Sequence, residues 1–141
     1  LALAEAKARG ATDCIMCNVD GFVTEASTSN VFARLGGRWC TPPLQHGLLA
    51  GITRSLLLAH LRDRGEPADE RPLTADELRR AEEVFLSSTL RDVAPVTHLD
   101  GVEQPPAAAT AALRRDFLAW KEQRLREHDA VRWRALLAGE P

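Results

Sequence analysis

Two glycine turns set between short apolar runs constrain this chain more than any other feature. The stretch "TDCIMCNVDGFVTE" breaks at Asp20-Gly21 and "NVFARLGGRWCT" breaks at Gly36-Gly37. A glycine turn between apolar runs reverses the chain into a hairpin. Residues 13 to 40 are therefore expected to be β-rich, with two hairpin connections. Pro42 and Pro43 end that region, since proline has no N–H to give to a strand ladder.

Beyond the prolines the apolar period changes. "LLAGITRSLLLAHLRDRG" puts Leu49, Ile52, Leu56, Leu57 and Leu61 on one helical stripe, closed by Gly65. "PLTADELRRAEE" offers Thr74 as an N-cap with Glu77 three residues on, the reciprocal capping pattern of a helix start. "EVFLSSTLRDVAPVTHLDG" reads as a buried strand, a polar turn and a second strand interrupted by Pro95. The last third reads as one long or two broken amphipathic helices with Leu113, Phe117, Trp120 and Leu125 facing inward. The opening "LALAEAKARG" looks like the last turns of a helix, and "EQPPAAAT" like a short spacer. Trp39, Trp120 and Trp133 are expected to pack.

A length of 141 residues is one domain's worth, and 45% hydrophobic with 27% charged residues is ordinary for a globular chain. A net charge of -2 gives no reason to expect nucleic acid or a membrane surface as partner. No run approaches a membrane span and no signal peptide is visible, so a cytoplasmic setting is expected. Three cysteines are an odd number, which argues against a disulfide framework. Cys14 and Cys17 form a C-x-x-C, but on a strand those side chains point to opposite faces. No metal is expected.

Three polar features stand at the ends of regular elements. Glu25 follows the strand "GFVT", where a carboxylate can pair with a protonated ring nitrogen. Alone it also reads as a solvated loop acid. Gly51-Ile52-Thr53 opens a helix, where unpaired N–H groups, the helix dipole and a hydroxyl favour an anion such as phosphate. Alone, Gly51 also reads as a turn glycine. Ser88 and Thr89 follow a buried strand and are placed to donate to the same anion or to a substrate carboxylate; alone they make an ordinary turn. Together the three suit a phosphorylated aromatic cofactor held at both ends, and pyridoxal 5'-phosphate fits that description.

The stretches "AEAKARGATDCIMCNVDGFVTEASTSNVF", "TPPLQHGLLAGITR" and "LTADELRRAEEVFLSSTLRDVAPVTHLDG" also resemble, in order and spacing, the class IV (fold type IV) pyridoxal-phosphate aminotransferases. That family includes the branched-chain and D-amino-acid aminotransferases and aminodeoxychorismate lyase. The resemblance implies an α/β (α+β type) domain with a mixed sheet or barrel-like core and surrounding helices, and a homodimer. It implies that Glu25 faces the pyridine nitrogen, that Gly51, Ile52 and Thr53 hold the phosphate, and that Ser88 and Thr89 add to it. Asn30 closes the glutamate motif and is expected to be structural. Leu90 is assigned to the substrate; with Arg91 it is bulkier than the small residues that branched-chain enzymes carry there.

The chemistry also needs a lysine amine. The two lysines, Lys7 and Lys121, read as solvated helix residues. In the family the Schiff-base lysine precedes the helix with which this chain opens, so it is expected upstream of Leu1, together with a small N-terminal domain. Residues 1–141 are thus expected to be the large C-terminal, cofactor-binding domain, with no catalytic residue of its own and inactive alone. The implied reaction is amino-group transfer between an amino acid and a 2-oxo acid. The alternatives are release of pyruvate from aminodeoxychorismate, and a non-catalytic module acting through dimer contacts. His46 reads as a substrate contact or a solvated loop residue; His60, His98 and His128 are given no chemistry.

Overall fold

Alternation along Asn30–Leu35 decides the architecture, because the first four residues of this strand are all buried and so face cover on both sides. The computed structural model describes the backbone of residues 1–138 and the side chains of residues 1–128. Val31 and Ala33 point into one core layer with Val23, Val84 and Leu86; Phe32 points into the other with Phe85, Leu57, Leu61, Leu113 and Phe117.

Strands β1 (Ile15–Cys17), β2 (Val23–Ala26), β3 (Asn30–Leu35) and β4 (Arg38–Thr41) follow one another antiparallel. β5 (Asp69–Glu70) joins β4 in parallel, which makes the sheet mixed. β6 (Glu83–Ser88) pairs with β3 along its other edge, and β7 (Asp92–Pro95) pairs with β6. These seven strands form one sheet, and β8 (His98–Leu99) with β9 (Val102–Glu103) forms a small separate hairpin. Both expected turns are present. Gly36 and Gly37 have φ of 56° and 75°, the paired left-handed geometry that matches strand twist and that side chains resist. A third reversal, at Ser27 to Ser29 between β2 and β3, carries no glycine. It is closed by the Ala26 N–H donating to the Ser29 carbonyl (2.7 Å).

Helix α1 (Ala2–Ala8) opens the chain. α2 (Ile52–Asp63) and α4 (Ala108–Ala138) cover the phenylalanine face. α3 (Ala75–Arg79) starts at Thr74 with the expected box: the Glu77 N–H donates to the Thr74 hydroxyl and the Thr74 N–H to the Glu77 carboxylate. Those hydrogen bonds, led by the Thr74 amide, hold the Glu77 carboxyl below its usual range. Phe32 and Phe85 are cross-strand partners with rings stacked 4.8 Å apart. Burying each such ring contributes about 1.5–3 kcal/mol.

The structure corrects three expectations about the helices. The inner face of α2 runs through Thr53, Leu57, His60 and Leu61, while Leu49 and Ile52 are 72% and 74% exposed. Leu49 precedes the helix and its peptide is held elsewhere, so it never joins the stripe. α4 is continuous and buries Leu113 and Phe117, but Leu125 is exposed. Arg124 reaches Asp63 at the end of α2 (2.9 Å), and past that crossing no layer remains for Leu125 to pack against. Lys121 is half-buried and paired with Asp92 over the Phe117 ring. Lys7 is exposed. Trp39 is buried against Phe85 and Trp120 stacks on Phe117; Trp133 lies outside the residues whose side chains are described.

Two buried polar groups lock α4 and α2 in place. The Glu83 carboxylate, at the start of β6, accepts from the Ala109 and Thr110 amides (2.9 and 2.6 Å) and the Thr110 hydroxyl (2.7 Å). It therefore satisfies the first turn of α4 from a neighbouring strand. Burial pushes its pKa up, and these hydrogen bonds outweigh burial, leaving it below the usual carboxylate range. The Arg54 guanidinium, almost wholly buried in the first turn of α2, donates to the Pro42 carbonyl (2.9 Å) and to Glu70 (2.7 Å). No helix among the described residues is long and apolar enough to cross a membrane.

Candidate functional site

Period-two alternation carries the site out of the core. Two residues from the stacked Phe32 and Phe85 on the same face stand Asn30 and Ser87, again cross-strand partners. The start of α2 meets the sheet there. Around that meeting point lies a cleft of about 440 Å³ lined by residues 25–30, 49–53 and 87–89. Glu25, Gly51, Ile52, Thr53, Ser88 and Thr89 all line it. Leu90 does not, and its side chain is fully exposed on the β6–β7 turn.

One end of the cleft is built from Glu25 and Asn30, which face each other across β2 and β3. The Leu49 N–H donates to Glu25 Oε2 (3.0 Å), and Asn30 Nδ2 donates to the Leu49 carbonyl (2.9 Å) and to Glu25 Oε2 (3.4 Å). Asn30 is thus structural in a definite sense: it latches the segment before α2 onto the sheet. Glu25 Oε1 has no hydrogen-bond partner among the described residues, leaving an acceptor free at the cleft.

The other end is the N-terminus of α2. Gly51 is the N-cap with φ -66° and ψ 137°, and no side chain caps the helix. The Ser55 N–H returns to the Gly51 carbonyl (3.0 Å), but the amides of Ile52, Thr53 and Arg54 have no backbone acceptor among the described residues. Three donors and the positive end of the dipole therefore gather there. Arg54 is turned inward to Pro42 and Glu70, fixing the helix without presenting charge to the cleft. Facing these amides are Ser87, Ser88 and Thr89 at the end of β6. None of the lining residues is Lys, Arg or His.

The sequence alone assigned no binding role to Ser29 or Ser87. Both are buried, both line the cleft, and the hydroxyl of each lacks a hydrogen-bond partner among the described residues. A buried unpartnered hydroxyl is costly, so two of them at one cleft mark a place for an outside polar group. The signal for Ser87 was strand alternation: it shares the inward face of Phe85. A more open groove of about 680 Å³ between β7 and α4 is lined by Arg91, Arg114 and Arg115 over Val93, Pro95 and Leu118. Among the described residues, no unpartnered buried side chain lines it. Of the histidines, His46 packs on Phe22 outside the cleft. His60 lies between Phe117 and Trp120 with neither ring nitrogen hydrogen-bonded. Burial, reinforced by Arg64 and opposed by Asp116, Asp63 and Glu66, lowers its pKa.

A family model described as Amino-transferase class IV matches residues 1–99. A D-alanine aminotransferase of Listeria monocytogenes is 42% identical over 81 residues, covering 57% of this chain and 28% of its own length. A branched-chain-amino-acid aminotransferase of Salmonella typhimurium is 32% identical over 99 residues, covering 70% of this chain and 32% of its own. The crystal structure of an aminotransferase from Brucella abortus bound to the cofactor PLP superimposes with a TM-score of 0.79 at 33% identity, covering 84% of this chain and 42% of that one. The chain thus spans about a third of the length of the curated relatives it matches. The mixed sheet, the covering helices and the match over residues 1–99 agree: the chain belongs to the class IV aminotransferase family.

Proposed function

We propose that this chain binds pyridoxal 5'-phosphate in the cleft between Glu25 and the start of α2, as the cofactor-binding part of an enzyme that moves an amino group between an amino acid and a 2-oxo acid. The observation that carries this is convergence: a carboxylate with a free oxygen at one end, and unpaired amides with hydroxyls at the other. The residues fit the group. Ser29 and Ser87 supply unpartnered buried hydroxyls, and the missing side chain of Gly51 lets Asn30 close against the start of α2.

Pyridoxal phosphate, when bound, supplies an electron sink for the bonds at a substrate's α-carbon. This chain's residues have the task of holding it. Glu25 Oε1 would accept a proton-bearing ring nitrogen and keep that proton in place, while Oε2 stays tied to Leu49 and Asn30. The Ile52 and Thr53 amides, the Thr53 hydroxyl and the Ser88–Thr89 turn would hold the phosphate by dipoles. Leu90, outside the cleft wall, would meet substrate only from the solvent side.

Neither lysine among the described residues reaches the cleft: Lys7 is exposed on α1 and Lys121 is engaged by Asp92. The reading therefore requires the reacting amine, and the homodimer and substrate contacts implied by the resemblance, to come from outside these residues.

Titrating the chain with pyridoxal phosphate, followed by tryptophan fluorescence, tests the reading. Thr53→Val should weaken binding by about 1.5–3 kcal/mol, the worth of one donor to a charged group. Equal affinity in the wild type and the variant would sink the assignment. For the longer protein, pyruvate release from aminodeoxychorismate with no amino acceptor present would favour the lyase over the transferase. Cofactor binding with neither reaction would favour the non-catalytic module.

A further inference from the structure

We infer that Asp13 is a positioning residue that ties the ring end of the cleft to its phosphate end; its link to cofactor affinity rests on the reading proposed above. Asp13 lies between α1 and β1, outside the cleft, with a side chain only 8% exposed. Its Oδ1 accepts three donors: the Cys14 amide (2.9 Å), the Ser27 amide (3.1 Å) and the Ser27 hydroxyl (2.5 Å). Ser27 belongs to the β2–β3 turn, two residues from Glu25 and two from Ser29. The Ser27 amide also reaches the Cys14 carbonyl (3.1 Å). That turn has no glycine, and its fixed point is this carboxylate.

The second oxygen serves the other side. Oδ2 is buried without a hydrogen bond and faces Arg91 Nη1 at 3.5 Å. Arg91 closes the β6–β7 turn, and its amide donates to the Ser88 hydroxyl (3.3 Å). One carboxylate thus holds the turn behind Glu25 through Oδ1 and attracts the turn carrying Ser88 and Thr89 through Oδ2. A low-dielectric setting strengthens such an attraction, and a buried carboxylate left half-paired is costly. The two oxygens predict separable effects. Asparagine keeps the Oδ1 acceptor and loses the pull on Arg91; alanine loses both.

Cofactor affinity and amide hydrogen exchange of the cofactor-free chain test this together. Asp13→Asn should weaken pyridoxal phosphate about tenfold and leave pyridoxal, which lacks the phosphate, nearly unchanged, a selectivity that general loosening would not give. Arg91→Gln should reproduce that loss, and the double variant should be no worse than either, because one interaction is removed twice. In the cofactor-free chain, Asp13→Ala should speed exchange at the Ser27 amide and across residues 88–91 together, by about tenfold. Unchanged phosphate-ligand affinity in Asp13→Asn, additive losses in the double variant, or faster exchange in one turn only would overturn the inference. If Asp13 variants do not fold, Arg91→Gln decides alone, since Arg91 is half exposed. If the wild-type chain binds no pyridoxal phosphate, the proposed function fails and the exchange data still judge the tie.

Discussion

The side-chain oxygen of Asn30 stands 2.1 Å from where a β-carbon on residue 51 would be. That oxygen belongs to an amide already committed to the Leu49 carbonyl and Glu25, so it cannot turn aside without releasing the segment before α2. Glycine at 51 is therefore a requirement of close approach, and its φ of -66° shows that backbone freedom is not the reason. Gly51→Ala should destabilise the chain by about 1–3 kcal/mol, the range for overpacking, and weaken pyridoxal phosphate. Adding Asn30→Ala should cost less than it does in the wild type, since the clash is relieved as the latch is lost. Urea denaturation of the four proteins measures this.

Glu25→Gln keeps an acceptor for the Leu49 amide and removes the charge offered to the ring nitrogen. Fold stability should hold while pyridoxal and pyridoxal phosphate lose affinity alike, by about 1.5–3 kcal/mol for a charged hydrogen bond. Thr53→Val should affect the phosphate form alone. Paired titrations with the two ligands separate the ends of the cleft.

This division was partly legible in the sequence. Glu25, Gly51-Ile52-Thr53 and Ser88-Thr89 were marked by their residue types at element ends, where local chemistry announces itself. Ser87 was not, because a serine in a strand looks alike whether it is solvated or buried, and the Phe32 and Phe85 register had to be known first; Ser29 reads as an ordinary turn serine until the β2–β3 turn is seen to bury it. Asp13 and Arg91 are 78 positions apart in the chain, and no local pattern joins them. The helical stripe misjudged Leu49, Ile52 and Leu125 because a periodic count does not know where a neighbouring layer ends. Hairpin turns and the capping box were legible because a few adjacent residues determine them.

His60 gives the fold a pH dependence whose sign is fixed. Its pKa is lowered from 6.5 on folding, so the unfolded chain binds more protons than the folded one between those values. Stability should be full above pH 6.5 and fall as the pH drops below it, until the folded ring also charges. His60→Leu should flatten that limb. Since neither ring nitrogen is satisfied, it should not weaken the fold at pH 7.5. Urea midpoints at several pH values decide this.

Glu83 acts at lower pH. Its pKa lies below the ordinary 4.5, so the stability it contributes is complete above 4.5 and is lost as the pH falls through its folded value. Glu83→Ala would leave the Ala109 and Thr110 amides and the Thr110 hydroxyl without their acceptor. Each buried donor left unsatisfied costs about 1–3 kcal/mol. Thermal unfolding of Glu83→Ala and Glu83→Gln at neutral pH measures the loss, and the alanine variant should be the weaker.

The cleft offers an anionic guest amides and hydroxyls and no cation from its own wall. Free ions screen one another over a Debye length of about 10 Å at 0.1 M, but they do not intrude on dipoles in direct contact with a guest. The grip this chain supplies should consequently weaken less with added salt than one built from lysine or arginine side chains, since only the helix dipole and not a full charge is there to be screened.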